Sequence, residues 1–356
     1  MPSIGGLERV VNLLASSLLE KGCDVFVIST NTKNNEFIVE NSEGIKVFLF
    51  PFLKAMADSD LALMKKVTLH VNELLEEISP DIINIHGWLE TFSFYQYRVL
   101  DKKSRPACMT VHGLLEQENY ETTLCSKLLS KMKKINVVSN SVKKELLEKK
   151  LDHGIDVKVI YNGVRENVAS KKNEKPYSLL MVGRLSKEKN FEMIFHVMAK
   201  LIRRHPNVKL TLLGNGILYG ELKKLRRELG LDEYVMMPGF ISFEEVNKAM
   251  AEACILIVPS SYESFGLVAL EAAMAETPVV ASRIGGLQEV VEHEKTGLLV
   301  ELNHVDGFVG AIDLLLSDPK KRRKMGRYAR ERARRLFSLE SSVNHYMAMY
   351  KEAIES

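Results

Sequence analysis

The sequence predicts an α/β protein made of two doubly wound halves, each with a parallel sheet covered by helices. Three observations carry this. Short apolar, β-rich runs alternate with helical patterns; the alternation is interrupted once, by a charged and polar stretch between Val164 and Pro176; and it then restarts. The chain has 356 residues, which is room for roughly two domains of about 150 residues each. A composition of 46% apolar and 27% charged residues excludes a disordered or fibrous chain. The net charge of +3 is too balanced to announce a polyanion, so bulk charge gives nucleic acid no support. Cys23, Cys108, Cys125 and Cys254 form no C-x-x-C pair and have no finger-like histidines nearby, which points to a reducing compartment without structural zinc. No apolar run approaches the roughly 18 residues that span a bilayer, and the amino terminus lacks the order of a signal peptide, so the expected location is cytoplasmic.

The chain opens on a glycine-bearing loop, Pro2 to Gly6, that feeds a helix over Leu7 to Glu20 with an apolar stripe of Leu7, Val10, Val11, Leu14 and Leu18. Strands follow at Val25 to Ser29 and Ile45 to Phe50, then a helix from Leu61 to Ile78 that stops at Ser79-Pro80. Asp81 to His86, Ala107 to His112, Lys134 to Ser139 and Val157 to Ile160 read as buried strands, with Ser139, Asn140 or Ser141 as a helix cap between the last two. Asn162-Gly163 closes this half, and the run Lys171 to Lys175 serves as linker. The second half reads as strands at Tyr177 to Val182, Val208 to Leu213, Val235 to Met237, Cys254 to Val258 and Pro278 to Ala281, separated by helices near 190–204, 219–229, 243–253 and 266–274. Two such halves imply a cleft, where open parallel sheets place ligands.

Several strands end in chemistry. His86 and His112 each follow a strand and precede a glycine, so either imidazole can reach a ligand hydroxyl or carbonyl; a buried histidine satisfied by neighbouring backbone is the plainer alternative. Gly183-Arg184, followed five residues later by Lys189, puts a guanidinium fork and a point charge on one loop, suited to phosphate oxygens, although loops commonly carry such cations. Gly214-Asn215-Gly216 is a lone G-x-G without the third glycine of a dinucleotide site. The most specific stretch is Pro259 to Glu271: Gly266 can open a helix whose first N–H groups face an anion. Glu263 lies on the preceding loop, and Glu271 stands more than one turn inside the helix. A dipole-favouring acid near a helix start would explain Glu263 but not an inward Glu271.

Taken in order, the glycine loop with Glu8, the turn Asn162-Gly163-Val164, Gly183-Arg184 with Lys189, and the Glu263/Glu271 pair spaced as E-x7-E resemble the retaining glycosyltransferase family 4 over nearly the whole chain. The resemblance implies the GT-B fold, two Rossmann-like domains facing a central cleft: residues 1–168 on the acceptor side, 176–337 on the nucleotide-sugar side, and 338–356 as a helix crossing back to the first domain. It implies transfer of a sugar from a UDP-, GDP- or ADP-sugar to a hydroxyl of a glycan, lipid-linked or small-molecule acceptor, with retention and with neither metal nor cofactor.

The resemblance also implies roles. Arg184 and Lys189 would neutralise the leaving diphosphate. Glu263 would meet the donor sugar hydroxyls, and Glu271 the ribose. Gly183, Gly214, Ser264, Phe265, Gly266, Leu267 and Val268 would line the donor site, the last three through their backbone. His112 would hydrogen-bond the transferred sugar, while Gly5, Gly6 and His86 would lie near phosphate and acceptor. The residues name no nucleophile for a covalent intermediate, so the resemblance favours same-face attack with the departing phosphate taking the acceptor proton.

Two departures from the family pattern stand out: Met1 sits almost on the glycine loop, so the first strand of the N-terminal domain expected before it is either missing or lies upstream of Met1, and Leu339 stands where tryptophan is more usual. The run Lys320 to Arg335 holds ten cations against Glu331, the pattern of a solvated helix or of one touching anionic lipid at a membrane face. Phe48 to Leu53 reads as a core strand end, an acceptor border or a membrane contact. An epimerase or phosphorylase of the same fold, or a non-catalytic nucleotide-sugar binder, are the other readings; the phosphorylase would need a pyridoxal lysine that the sequence does not reveal.

Overall fold

The structure is a computed structural model and describes residues 5–31, 34, 36–87, 90–101, 105–114, 123–165 and 174–356. Pro2 to Ile4 of the opening loop and Lys171 to Asn173 of the linker lie outside the described residues. In chain order the first elements are α1 (Gly6–Glu20), β1 (Phe26–Thr30), β2 (Ile38–Ser42), β3 (Ile45–Phe50), α2 (Phe52–Ala57), α3 (Leu61–Ile78), β4 (Ile83–His86), α4 (Glu90–Asp101), β5 (Ala107–Val111), α5 (Leu124–Leu129), β6 (Lys134–Val137), α6 (Asn140–Glu148) and β7 (Val157–Val159). Then come β8 (Ser178–Val182), a 3-10 turn (Lys187–Lys189), α7 (Phe191–Leu201), β9 (Lys209–Leu213), α8 (Tyr219–Glu228), β10 (Val235–Gly239), α9 (Phe243–Glu252) and β11 (Ile255–Val258). The last are α10 (Leu267–Met274), β12 (Val279–Ser282), α11 (Leu287–Val290), β13 (Gly297–Val300), α12 (Val305–Ser317), α13 (Pro319–Leu336) and α14 (Leu339–Glu355). These fall into two compact units: Met1–Gly163 with Leu339–Ser356, and Val164–Ser338.

The N-terminal unit holds two sheets, a three-stranded one ordered β1-β3-β2 and a four-stranded one ordered β4-β5-β6-β7. The second sheet is parallel throughout. In the first, β1 and β3 are parallel but β2 runs antiparallel to β3, which corrects the reading of this half as parallel strands alone. A tight hairpin makes the reversal: Glu43 and Gly44 both take positive φ, and the Gly44 N–H donates to Asn41 Oδ1 at 3.0 Å. Among the described residues no strand precedes α1. Helix α1 packs both ways, with Leu14 and Leu18 against Cys108 of β5 and Tyr346 of α14, and Ala15 and Leu19 against Val47 of β3. Phe50 and Phe52 are buried with Val67, Val71 and Tyr95, so these two rings belong to the core, whereas Leu53 of the same run is exposed. Of the three candidate caps it is Ser139 that opens α6, accepting from the Val142 N–H at 3.1 Å.

The C-terminal unit is one six-stranded sheet, β10-β9-β8-β11-β12-β13, parallel at every pairing. Strands β11, β12 and β13 are buried at every residue, as expected of parallel strands with helices on both faces. The strand β13 and the helices α11 and α12 were not apparent from the sequence. The basic helix α13 begins at Asp318, whose side chain caps it, and Pro319. Its inner face is Met325, Gly326, Ala329 and Ala333. Three of its arginines turn inward: Arg322 pairs with Glu174 at 2.6 Å, Arg330 with Glu276 at 2.8 Å, and Arg332 donates to the Glu289 carbonyl at 2.9 Å. Lys320, Arg323, Lys324, Arg327, Arg334 and Arg335 remain exposed. Among the described residues no helix is long and apolar enough to cross a membrane.

Candidate active site

Loops at the carboxyl ends of β8, β9, β11 and β12 carry the candidate residues of the C-terminal unit. After β8, the backbone passes Gly183 and the exposed Arg184 and folds into the 3-10 turn that carries Lys189. Asn190, in the left-handed conformation, ends the turn; its amide donates to the Pro259 carbonyl at 3.2 Å and to Asn303 Oδ1 at 2.9 Å. The Ser261 N–H donates to the Glu188 carbonyl at 2.8 Å. Those links hold the loop after β8 against the loop after β11 and bring Lys189 Nζ to 2.7 Å from Glu263 Oε2, with the buried Ser260 hydroxyl 3.5 Å from the same oxygen. Burial by itself would raise the Glu188 carboxyl, yet the Ser186 hydroxyl, a backbone N–H, Lys189 and Arg184 outweigh it, and the net shift is downward.

The loop then enters α10 at Gly266, which sits at φ +101, a conformation that only glycine adopts without strain. The first helical N–H groups, from Leu267 onward, precede the first intrahelical bond, Leu270 N–H to the Gly266 carbonyl at 3.0 Å, and so point out of the helix end as an anion site would require. Ser264 is partly exposed and Glu271 is buried one turn in. The Phe265 ring is buried edge-on against Phe337, 5.6 Å between centroids, so what this residue can offer a donor is its backbone. Gly214 has a packing reason to be glycine, since a Cβ there would lie 1.9 Å from the Gly183 carbonyl oxygen; the tips after β8 and β9 touch backbone to backbone.

Sequence reasoning missed Gly286. Its N–H donates to the Glu263 carbonyl at 3.0 Å, and an added Cβ would stand 2.4 Å from Phe265 Cα and from Ser264 O. The Gly285-Gly286 pair after β12 was the visible signal. Asn190 and Ser260 were missed as well, and nothing but their adjacency to Lys189 and Glu263 could have singled them out.

In the N-terminal unit, Gly5 stands extended at the start of α1 and Gly6 is its first, exposed residue. His86 ends β4, and His112 directly follows β5. Their rings meet: His86 Nδ1 is 3.1 Å from His112 Nε2. Each keeps an accessible edge, yet enough protein surrounds them to disfavour the cations. Burial lowers His86 to about 4, and burial, followed by the neighbouring His86, holds His112 well below its ordinary value.

The sequence profile described as Glycosyltransferase Family 4 matches residues 4–168, and that described as Glycosyl transferases group 1 matches residues 165–332. The chain belongs to glycosyltransferase family 4. An uncharacterized glycosyltransferase of Methanocaldococcus jannaschii is 29% identical to this family 4 enzyme, covering 99% of this chain and 95% of its own. Sucrose-phosphate synthase from Thermosynechococcus elongatus superposes with a TM-score of 0.82 at 22% identity, covering 98% of this chain and 93% of its own. Anabaena HepE, solved with UDP and glucose, gives a TM-score of 0.78 at 20% identity over 98% and 96% of the two chains. The two units are thus the Rossmann-like units of a GT-B glycosyltransferase.

Proposed function

We propose that this glycosyltransferase moves a sugar from a nucleoside diphosphate sugar to an acceptor hydroxyl with retention of anomeric configuration. The observation that carries the proposal is the meeting of Lys189 with Glu263 at 2.7 Å beside a glycine-opened helix N-terminus, with the exposed Arg184 on the same loop as Lys189. In this reading, the N–H groups of Gly266, Leu267 and Val268 hold diphosphate oxygens, and Arg184 and Lys189 neutralise the charge that grows as the nucleotide leaves. Glu263 accepts hydrogen bonds from sugar hydroxyls and orients the Lys189 ammonium, and the buried Glu271 takes the ribose. Because anomeric carbon and phosphate separate as charge develops, fixed donors on the leaving oxygens stabilise the transition state more than the bound substrate. The acceptor then attacks from the face the phosphate has left, and a phosphate oxygen takes its proton. Gly5 and Gly6 at the α1 terminus and His112 in the N-terminal unit serve acceptor and transferred sugar. HepE's solved complexes with UDP and UDP-glucose support a nucleotide-sugar donor. Metal and cofactor have no part in the reading.

Incubating the chain with UDP-, GDP- and ADP-sugars and an acceptor panel, and measuring nucleotide release, tests it. Release with one nucleotide, lost in Glu263→Ala and Arg184→Ala, is the expected result. Unchanged release in both variants overturns the site.

A further inference from the structure

Asn84, His86, Thr110 and His112 share one face of the four-stranded sheet, because successive residues alternate faces and β4 and β5 pair His86 with Thr110. Thr110 in turn pairs with Asn136 of β6. On this face these side chains form a connected line. Asn84 Nδ2 lies 2.6 Å from the Tyr350 hydroxyl and 2.9 Å from His86 Nε2, and His86 Nδ1 lies 3.1 Å from His112 Nε2. The Thr110 hydroxyl is 3.3 Å from Asn84 Oδ1 and 2.9 Å from Asn136 Oδ1, while the Asn136 amide donates to the Tyr346 hydroxyl at 3.4 Å. Both tyrosines come from α14.

A neutral imidazole has one N–H donor and one acceptor nitrogen, and burial keeps both rings neutral near pH 7. An amide nitrogen can only donate. With Asn84 Nδ2 facing it, His86 Nε2 must accept, which puts the His86 proton on Nδ1. That N–H faces His112 Nε2, which must therefore accept as well. The one remaining polar hydrogen of His112 is on Nδ1.

We propose that Asn84 and His86 are positioning residues that hold His112 as the Nδ1–H tautomer, so that it offers the transferred sugar an uncharged hydrogen-bond donor. Asn84 also donates to the Tyr350 hydroxyl, so a side chain of the last helix borders the amide that orients His86. This rests on the role given to His112 above, but the tautomer is observable without any substrate.

The test is nitrogen-15 NMR of histidine-labelled protein, with His112 assigned by comparison with His112→Gln. The wild-type chain should show His86 and His112 both protonated on Nδ1. Asn84→Asp replaces the amide donor by an acceptor of the same shape; it should move the His86 proton to Nε2, leave His86 Nδ1 as an acceptor and so move the His112 proton to Nε2, and should lower transfer kcat/KM about tenfold, the weight of one buried hydrogen bond. His86→Asn puts an amide N–H near the place of Nδ1 and should leave His112 on Nδ1 in the same spectra. A wild-type His112 protonated on Nε2, or a His112 tautomer unmoved across all variants, overturns the proposal. If the tautomers follow expectation while His112→Ala turns over at the wild-type rate, the bond polarity stands, and what falls is the assignment of His112 to the sugar.

Discussion

The sheet of the C-terminal unit and the sheets of the N-terminal unit differ in how well their strands are covered. Strands β11, β12 and β13 are buried at each position, whereas β1 has no buried residue and β4 has one. Edge position alone does not decide this: β1, β4 and β13 each end their sheet among the described residues, but α12 and α13 pack on β13, and a strand is buried where helices cover it. What joins the two N-terminal sheets instead is helical, α1 lying across both and α14 closing over β5. The sites reflect the difference. The candidate residues of the C-terminal unit are ionic and mounted on a continuous sheet, and those of the N-terminal unit form a neutral hydrogen-bonded line that reaches α14.

The sharpest way to break that comparison is to remove charge from the ionic half. Lys189→Ala or Glu263→Ala should cost on the order of 10²–10³-fold in transfer rate with little change in melting temperature, since both side chains lie on loops; an equal loss from His112→Ala would erase the distinction between the halves, as kcat measured side by side would show.

Acid should separate them next. The unfolded chain binds protons at His86 and His112 as pH falls through the ordinary value of 6.5, while the folded His86 does not until about 4 and burial likewise holds the folded His112 well below its ordinary value. The stability these neutral rings provide is therefore whole above pH 6.5 and declines below it, by up to about 1.4 kcal/mol per pH unit for each histidine. Urea midpoints between pH 7.5 and 4.5, followed by the single tryptophan, Trp88, should fall in wild type and fall less in His86→Asn. A flat profile would place the neutral line outside the folding energetics.

Gly286→Ala probes the rigidity of the ionic half. The new Cβ would strike backbone at 2.4 Å, so the loop bearing Glu263 must move; a stability loss of about 1–3 kcal/mol with reduced activity is expected from thermal melts and nucleotide release. The smallest effects sharpen the comparison by being equal. Ser139→Ala at α6 and Ser242→Ala in the capping box of α9 should each cost about 1 kcal/mol, because a cap is local and indifferent to the sheet beneath it, as chemical denaturation of the two variants would check.

How much was legible follows from the range of the forces involved. Apolar runs such as Leu256 to Val258 and Val279 to Ala281 announced buried strands because a strand covered on both faces must be apolar throughout. The hairpin of β2 was not legible: Val39, Glu40 and Asn41 are mixed in polarity, and the turn is signalled by Gly44 alone. The site residues Arg184, Lys189, Glu263 and Gly266 were picked out by residue type and position after a strand, and the structure places them on neighbouring loops of one unit. Phe265 and Gly214 were assigned to a ligand by position, and the structure adds a packing role that position did not show: one ring lies against Phe337, and one missing Cβ lets two loops touch.

By itself the sequence determined that this is a two-part α/β chain with a chemistry-bearing loop after each of several strands, since hydrophobic period, glycine placement and charge are local properties. Only the tertiary structure decided that Lys189 meets Glu263 across 74 positions, that three arginines of a basic helix turn inward, and that Tyr350 joins Asn84, His86 and His112. Such pairings arise where distant segments bury their polar groups together and must satisfy them there, and no local pattern records which partners the fold will bring within reach.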